Sequence, residues 1–303
     1  MHKSPSNDDL RVFIQVAEKA SFAAAAVDLG VSVAYISKRI RSLESALNTR
    51  LLHRTTRRVS VTEQGEKVLR RAKQILDDID QLYEEVAQTR QTPSGVLRIS
   101  SSFGFGRQQV APALAALTEQ YPELAVRFEV FDRLIDVMGE GFDLDVRIGE
   151  EIASHLIARK LADNQRLLCA APTYLDTRGE PQTLAELAAH ECLVIKERDH
   201  PFGLWRLESV QGEKQIRVQG RLSSNHGEIA LQWALQGKGI LLRSAWEVAP
   251  LIEAGKLRQI LPEYWQTANV WAVYPQRLAD SAKVRACVEH LQQWFAPLEP
   301  LYR

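Results

Sequence analysis

The chain has 303 residues, 45% of them apolar and 25% charged, with a mean hydropathy of −0.22; this is the composition of a globular protein of about two domains, and it excludes collagen-like, mucin-like and largely disordered chains. No run of about 18 apolar residues offers a membrane span, Met1 to Arg11 lacks the apolar stretch of a secretory leader, and three scattered cysteines (Cys169, Cys192, Cys287) give neither a disulfide framework nor a zinc site, so a reduced, cytoplasmic protein is expected. Basic and acidic residues balance at 38 each, yet residues 1–65 hold ten Lys/Arg against six Asp/Glu, a net +4 on a body of −4: a basic head of the kind that contacts nucleic acid.

Apolar positions Leu10, Phe13, Ile14 and Ala17 predict an amphipathic helix over 8–19, capped by Asn7 or Asp8. Ser21 offers a second cap before Phe22 to Leu29, whose alanines let another helix approach closely. Gly30 supplies a left-handed residue to end that helix. Ser32 caps a third helix, Val33 to Asn48, with Ile36, Ile40, Leu43 and Leu47 along one face. Helices joined by a Gly-containing turn in this way read as a helix-turn-helix. The other face of the third helix offers Ser32, Tyr35, Ser37, Lys38, Arg39, Arg41 and Ser42, a hydroxyl-rich basic surface suited to phosphates and base edges. From Leu51 to Thr62, two short β-prone runs flank a basic tip. This is a wing, with Arg54, Arg57 and Arg58 placed for phosphate or minor-groove contact.

The stretch from Asp9 to Gly65 resembles the N-terminal winged helix-turn-helix of LysR-type transcriptional regulators. The small-residue helix, Gly30-Val31-Ser32, Ile36-Ser37, Leu43-Glu44, Leu51-Leu52, Arg54 and Val61-Thr62-Glu63-Gln64-Gly65 fall in the register of that family. The family often carries Gln or Pro at the position of Val33 and Ala at that of Tyr35. With Ser32 and Ala34, these are the early recognition-helix positions, so they are taken as DNA contacts.

Residues 62–90 form a long helix whose seam, Leu69, Ala72, Leu76, Ile79, Tyr83 and Val86, is spaced 3, 4, 3, 4 and 3, a coiled-coil repeat widened by Ile75 and Leu82. Periodicity leaves open whether the seam packs on its own domain or on a second copy; the resemblance implies a dimerising linker helix. Gln91 to Gly95 is a linker by composition. The expected domains are a DNA-binding head at 1–65, a linker helix at 66–92 and an effector domain at 93–303.

Beyond the linker, strands are predicted at 96–100, 124–131, 144–148, 166–170, 192–195, 215–222, 239–243 and 269–274. Helices are predicted at 110–121, 183–189, 226–236, 244–254 and 281–295. Such alternation argues for α/β architecture with largely parallel sheets. The family resemblance implies more: a domain like a periplasmic binding protein, with lobe I at about 96–162 and 268–303, lobe II at about 163–267, and a ligand cleft between them. The expected fold is thus an N-terminal all-α winged helix-turn-helix with a long linker helix, then a two-lobed α/β effector domain.

No nucleophile elbow, zinc motif, phosphate loop or C-x-x-C pair is present, and no catalytic residue, metal or cofactor is expected. Ligands of open α/β sheets sit beyond the carboxyl ends of strands, where helices begin. Ser101 and Ser102, with Phe103, lie at one such junction, and Ser223, Ser224 and Asn225 at another. Each serine could equally be a helix cap; the resemblance implies effector contact from both. Arg107, Arg133, Arg147, Arg198 and Arg243 are candidate partners for a carboxylate, and Arg133, Arg147 and Arg198 are taken as contacts. Arg147 sits in an apolar strand, where Asp143, Asp145 or Glu150 could instead pair with it. A small organic anion is the expected effector.

The segments "SSFGFGR", "DLDVRIGEEI" and "LSSNHGEIALQWALQGKGILLRS" resemble the branch of the family that activates tartrate and malate utilisation. That branch implies a hydroxy-dicarboxylate. The family also implies a homodimer, a tetramer on promoter DNA, and contact with RNA polymerase. Two alternatives are a redox sensor acting through Cys192 and a solute-binding protein without a DNA role.

Overall fold

The computed structural model describes residues 5–54, 59–86, 92–196, 202–279 and 281–297. The chain divides into two compact units, Met1–Gln91 with Met138–Gly141 and Thr92–Val137 with Phe142–Arg303.

The first unit contains α1 (Asn7–Lys19), α2 (Phe22–Asp28), α3 (Val33–Ala46), a hairpin of β1 (Leu52–Arg54) and β2 (Val59–Val61), and α4 (Glu63–Val86). The cap of α1 is Ser6, not Asn7 or Asp8. Its Oγ accepts from the Asp9 N–H while the Asp9 carboxylate accepts from the Ser6 N–H at 2.9 Å, a capping box. Ser21 and Ser32 cap α2 and α3 as expected, accepting from the N–H of Ala24 at 3.3 Å and of Tyr35 at 3.1 Å. Gly30 takes the left-handed φ of +64°. The third helix stops at Ala46, short of the expected Asn48, which itself turns left-handed. Ile36, Ile40 and Leu43 are fully buried against Phe13, Val16 and Ala25, whereas Leu47 is exposed.

The motif that joins wing and linker is a packing device. Glu44 Oε1 accepts from the N–H of Leu51 at 3.0 Å and of Leu52 at 3.3 Å, tying α3 to the first wing strand. Thr62 Oγ1 donates to the Arg50 carbonyl at 2.8 Å and accepts from the Gly65 N–H at 2.9 Å, which caps α4. A Cβ on Gly65 would lie 2.2 Å from the Leu51 carbonyl oxygen, so only glycine fits there. Along α4, Ala72 and Leu76 are buried in the core of this unit, with Leu69 and Ile79 packed against it. The first half of the seam therefore serves its own domain. The side chains of Tyr83 and Val86 lie outside the described residues.

The second unit is built as two lobes. The first runs β3 (Gly95–Ser101), α5 (Phe103–Phe105), a π turn (Gly106–Val110), α6 (Ala111–Gln120), β4 (Leu124–Val130), β5 (Leu144–Ile148) and β6 (Leu156–Ala162). The chain then crosses to lobe II: β7 (Gln165–Ala170), α7 (Pro172–Arg178), a 3-10 turn (Leu184–Ala189), β8 (Val194–Ile195), β9 (Leu204–Leu207), β10 (Lys214–Arg217), β11 (Ser223–Ser224), α8 (Gly227–Leu235), β12 (Leu241–Ser244), α9 (Ala245–Glu253), β13 (Arg258–Gln259) and β14 (Trp265–Thr267). It returns through Ala268 and Asn269 to β15 (Val270–Pro275) and α10 (Ala282–Phe295), which complete lobe I.

The sheets are mixed, which corrects the expectation of largely parallel ones. In lobe I the order is β4-β3-β5-β15-β6. β3 runs parallel to β4 and β5, but β15 is antiparallel to both β5 and β6. The reason is topological: β6 leaves for lobe II and β15 comes back beside it, so the two must run in opposite directions. In lobe II, β7 pairs antiparallel with β12, β13 and β14. Its residues alternate between two cores, Leu168 and Ala170 on one face and Leu167 and Cys169 on the other. Strands β6, β9, β13 and β14 and helix α7 are absent from the sequence expectation, and the 215–222 candidate shortens to β10, with β11 starting just beyond it. The half-exposed run Leu156–Ala162 carries no alternation to betray it.

Candidate functional sites: a recognition helix and a cleft between two lobes

Burial of Ile36, Ile40 and Leu43 sets the rotation of α3. At about 100° per residue, Ala34, Lys38 and Arg41 then form the row opposite the core, and all three are exposed. Val33 and Tyr35, 46% and 38% exposed, flank the row at its start; Ser37 is half-buried. Ser32 serves as the cap. Arg39 is held inside the unit: it reaches Asp8 at 2.9 Å and Asp9 at 3.2 Å, and its Nε donates to the Tyr35 hydroxyl at 3.0 Å. It braces α3 on α1. Arg54 ends β1 opposite Val59, while Arg57 and Arg58 lie outside the described residues.

In the second unit a cavity of about 360 Å³ opens between the lobes. Ser102, Asp132 and Glu150 line it from lobe I, and Arg166, Lys196, Arg206, Asn225, Arg243, Trp246 and Thr267 from lobe II. Of the expected contacts, Ser102 and Asn225 are therefore at the cavity. Ser101 is buried in the sheet, its Oγ donating to the Val146 carbonyl at 2.8 Å. Phe103 is exposed beside the ring of His226, 5.3 Å between centroids. Arg133 lies over the Phe131 ring at 4.9 Å and donates to the Leu134 carbonyl. Arg147 is buried and paired with Asp145 at 2.6 Å, the structural alternative named above. None of Ser101, Phe103, Arg133 and Arg147 lines the cavity. Ser224 Oγ accepts from the His226 N–H at 3.0 Å, Ser223 pairs with Val194, and neither lines the cavity. Arg198 lies outside the described residues.

Sequence reasoning missed Arg166, Lys196 and Arg206. Because β7 is antiparallel to β12, Arg166 at its start stands opposite Ser244 at the end of β12. A parallel reading sends it to the other edge. Arg243, one of the arginine candidates, pairs with Glu247 one turn on. Its guanidinium lies against the start of α8, where a Cβ on Gly227 would fall 1.9 Å from Nη1.

Five acids stand on the cavity wall, Asp132, Glu150, Glu151, Glu208 and Glu213, and each has a polar partner; Glu213 accepts from Gln215 at 3.2 Å. Asp132 accepts from the Phe103 N–H at 3.3 Å and faces His226 Nε2 at 3.5 Å. Glu150 accepts from the Asn269 N–H at 2.8 Å, and Glu208 from the Thr267 N–H at 3.0 Å and hydroxyl at 2.9 Å. Lys196 and Arg206 have no carboxylate partner among the described residues. Beside the cavity, Arg107 of lobe I pairs with Glu228 of lobe II, and Gln108 donates to the same oxygen at 3.2 Å. Burial pushes the Glu228 carboxyl up, but the hydrogen bonds from Arg107 and Gln108 outweigh it and hold the pKa below the ordinary value.

All three cysteines are buried. Burial pushes the thiols of Cys169 and Cys192 up to about 12 and raises that of Cys287 as well, the opposite of a reactive thiolate. Among the described residues no helix is long and apolar enough to cross a membrane, and no group of three or more His, Cys, Asp or Glu could hold a metal.

Residues 7–66 match the bacterial regulatory helix-turn-helix protein family of lysR type, and residues 90–296 match the LysR substrate binding domain. The chain is 58% identical over 300 residues to the HTH-type transcriptional regulator DmlR of Escherichia coli K12, covering 99% of this chain and 98% of that protein. It is 50% identical over 290 residues to the HTH-type transcriptional activator TtdR of the same strain, covering 96% and 94%. Among solved structures, CrgA, a LysR-type transcriptional regulator from Neisseria meningitidis, matches with a TM-score of 0.60 at 31% identity over 97% of this chain and 100% of that one. The full-length Vibrio cholerae virulence activator AphB matches with a TM-score of 0.59 at 26% identity over 94% and 98%. The winged helix-turn-helix of the first unit and the two-lobed second unit are thus the parts of a DNA-binding regulator with an effector-binding domain, not of an enzyme, and the chain belongs to the LysR family of transcriptional regulators.

Proposed function

We propose that this regulator responds to a small organic anion, a hydroxy-dicarboxylate such as malate or tartrate, held between the lobes of its substrate-binding domain. The observation that carries the reading is which charges around the cavity are already paired. Of its five acids, Asp132, Glu150, Glu208 and Glu213 each accept a hydrogen bond and Glu151 also has a partner, while Lys196 and Arg206 have no carboxylate partner among the described residues. The helices α8 and α9 begin at the cavity wall, at Gly227 and just after Ser244, and helix starts favour anions. The resemblance to the tartrate and malate branch of the family supports two carboxylates and a hydroxyl as the chemistry recognised. Arg166, Lys196, Arg206 and Arg243, with Ser102 and Asn225, are the effector contacts of this proposal. Effector acts by shifting the population of lobe arrangements, by no more than its difference in affinity between them.

On the DNA side, Val33, Ala34, Tyr35, Ser37, Lys38 and Arg41 meet the major groove, and Arg54, Arg57 and Arg58 of the wing meet the flanking backbone. Two copies join along α4, where Ile75 is 37% exposed, and so set two recognition helices against two half-sites. A tetramer, contact with RNA polymerase and action in the cytoplasm follow from the family pattern.

The test is a thermal melt of the full-length chain with each enantiomer of malate and tartrate, and with succinate. An acid at about a hundred times its Kd adds roughly 2.7 kcal/mol, a rise of several degrees that should be stereoselective. A cooperative melt unmoved by every acid would remove the hydroxy-dicarboxylate. Sedimentation with the variant Ile75→Glu tests the interface, which predicts a shift to monomer.

A further inference from the structure

Trp246 belongs to one lobe by its backbone and to the other by its side chain. Its neighbours in α9, Ala245 and Val248, lie in a lobe II core. The indole instead enters the lobe I core, edge-on to Phe105 at 5.3 Å, and Phe105 in turn lies 5.5 Å from Phe295. Trp246 is 5% exposed, yet its Nε1–H has no acceptor among the described residues. A buried indole N–H ordinarily finds a partner, and an unpaired one costs more than the bond would return. Trp246 lines the cavity, and so does Phe105. The same place holds the start of α9, whose cap Ser244 makes no side-chain bond to the helix, so first-turn N–H groups accompany the indole there.

We propose that Trp246 is an effector-binding residue: its Nε1–H donates a hydrogen bond to an oxygen of the bound acid, and its ring carries occupancy of the cavity to both lobes. The inference rests on the proposed cleft site. It adds a neutral, one-directional donor to the cations Lys196 and Arg206. An indole N–H cannot accept, so it selects ligands that present an oxygen lone pair at that point. Because the ring is anchored in lobe I while its helix is anchored in lobe II, an acid that fixes the indole also fixes the lobes against each other.

The test uses the full-length protein with malate and tartrate enantiomers as probes. Trp246→Phe keeps the ring packing on Phe105 and removes the donor. Its Kd for the acid that wild type binds should rise about tenfold to a hundredfold, the worth of a hydrogen bond to a charged oxygen. The change in intrinsic fluorescence on binding should disappear with it. If wild type binds an acid and Trp246→Phe binds it equally well, this inference is overturned and the cleft reading stands. If wild type binds none of the acids, the cleft reading falls and this one with it. Should Trp246→Phe lose its cooperative melt, ¹⁵N-labelled wild type decides: one of the six tryptophan indole resonances must move downfield at saturation, and six that stay in place overturn the proposal.

Discussion

Asn164 and Ala268 are bonded twice at the point where the chain passes between the lobes. The Ala268 N–H donates to the Asn164 carbonyl at 2.9 Å, and Asn164 Nδ2 donates back to the Ala268 carbonyl at 2.7 Å. The two crossovers are thereby tied to each other, and Ala268 is part of the cavity wall. Asn164→Ala leaves that buried carbonyl with one donor fewer and should cost about 1–3 kcal/mol in urea unfolding. Asn164→Asp, which sets an acceptor against an acceptor, should cost at least as much. Wild-type stability in both variants would show that these bonds do not hold the crossovers together.

The buried pair Asp145–Arg147 gives a second prediction. Asp145 also accepts from the Ser100 hydroxyl at 2.7 Å. Asp145→Ala strands a buried guanidinium and should cost about 3–5 kcal/mol, most of it recovered when Arg147→Met is added. Arg147→Met alone should leave affinity for the acid within about twofold, because a residue off the cavity wall makes no ligand contact. Loss of acid binding with the fold intact would return Arg147 to the effector contacts.

On the recognition helix, Lys38→Ala and Arg41→Ala should weaken DNA binding across sequences, each lowering the salt slope by about one. Neither should move the melting temperature. Arg39→Ala should lower it, because Arg39 ties α3 to Asp8 and Asp9. Mobility shifts across a salt series, run beside thermal melts, separate the two roles. An Arg39 variant as stable as wild type would make Arg39 a free DNA contact.

The cysteines give a pH prediction. A raised thiol pKa keeps the neutral form, so thiolate grows only as pH climbs toward about 12. At pH 8, Cys169 and Cys192 then hold about one thiolate in ten thousand, against roughly one in four for an unperturbed thiol. Iodoacetamide should leave both unmodified in the native protein and label them after denaturation, and peroxide should not change DNA affinity. Native labelling at the rate of a free thiol would restore the redox reading.

What was legible in the sequence was local. Ser21, Ser32 and Gly30 act within one turn of themselves, so a cap or a left-handed residue could be read from four or five neighbours. The strand Leu144–Ile148 is legible from the alternation of Leu144, Val146 and Ile148. Ser102 and Asn225 were found because a strand-to-helix junction is itself a local feature. Tertiary structure decided whichever side chains depend on the partners of a strand. Arg147 stands on a strand as expected and Ser101, expected at the junction, ends one; both are turned into the sheet, toward Asp145 and the Val146 carbonyl. Arg166 reaches the cavity only because β7 runs antiparallel to β12. The seam of α4 could not say what covers it: a heptad repeat looks the same whether Ala72 and Leu76 meet their own domain or a second copy. And that Trp246 packs in one lobe while its helix packs in the other is a contact between residues far apart in the chain, which no periodicity records.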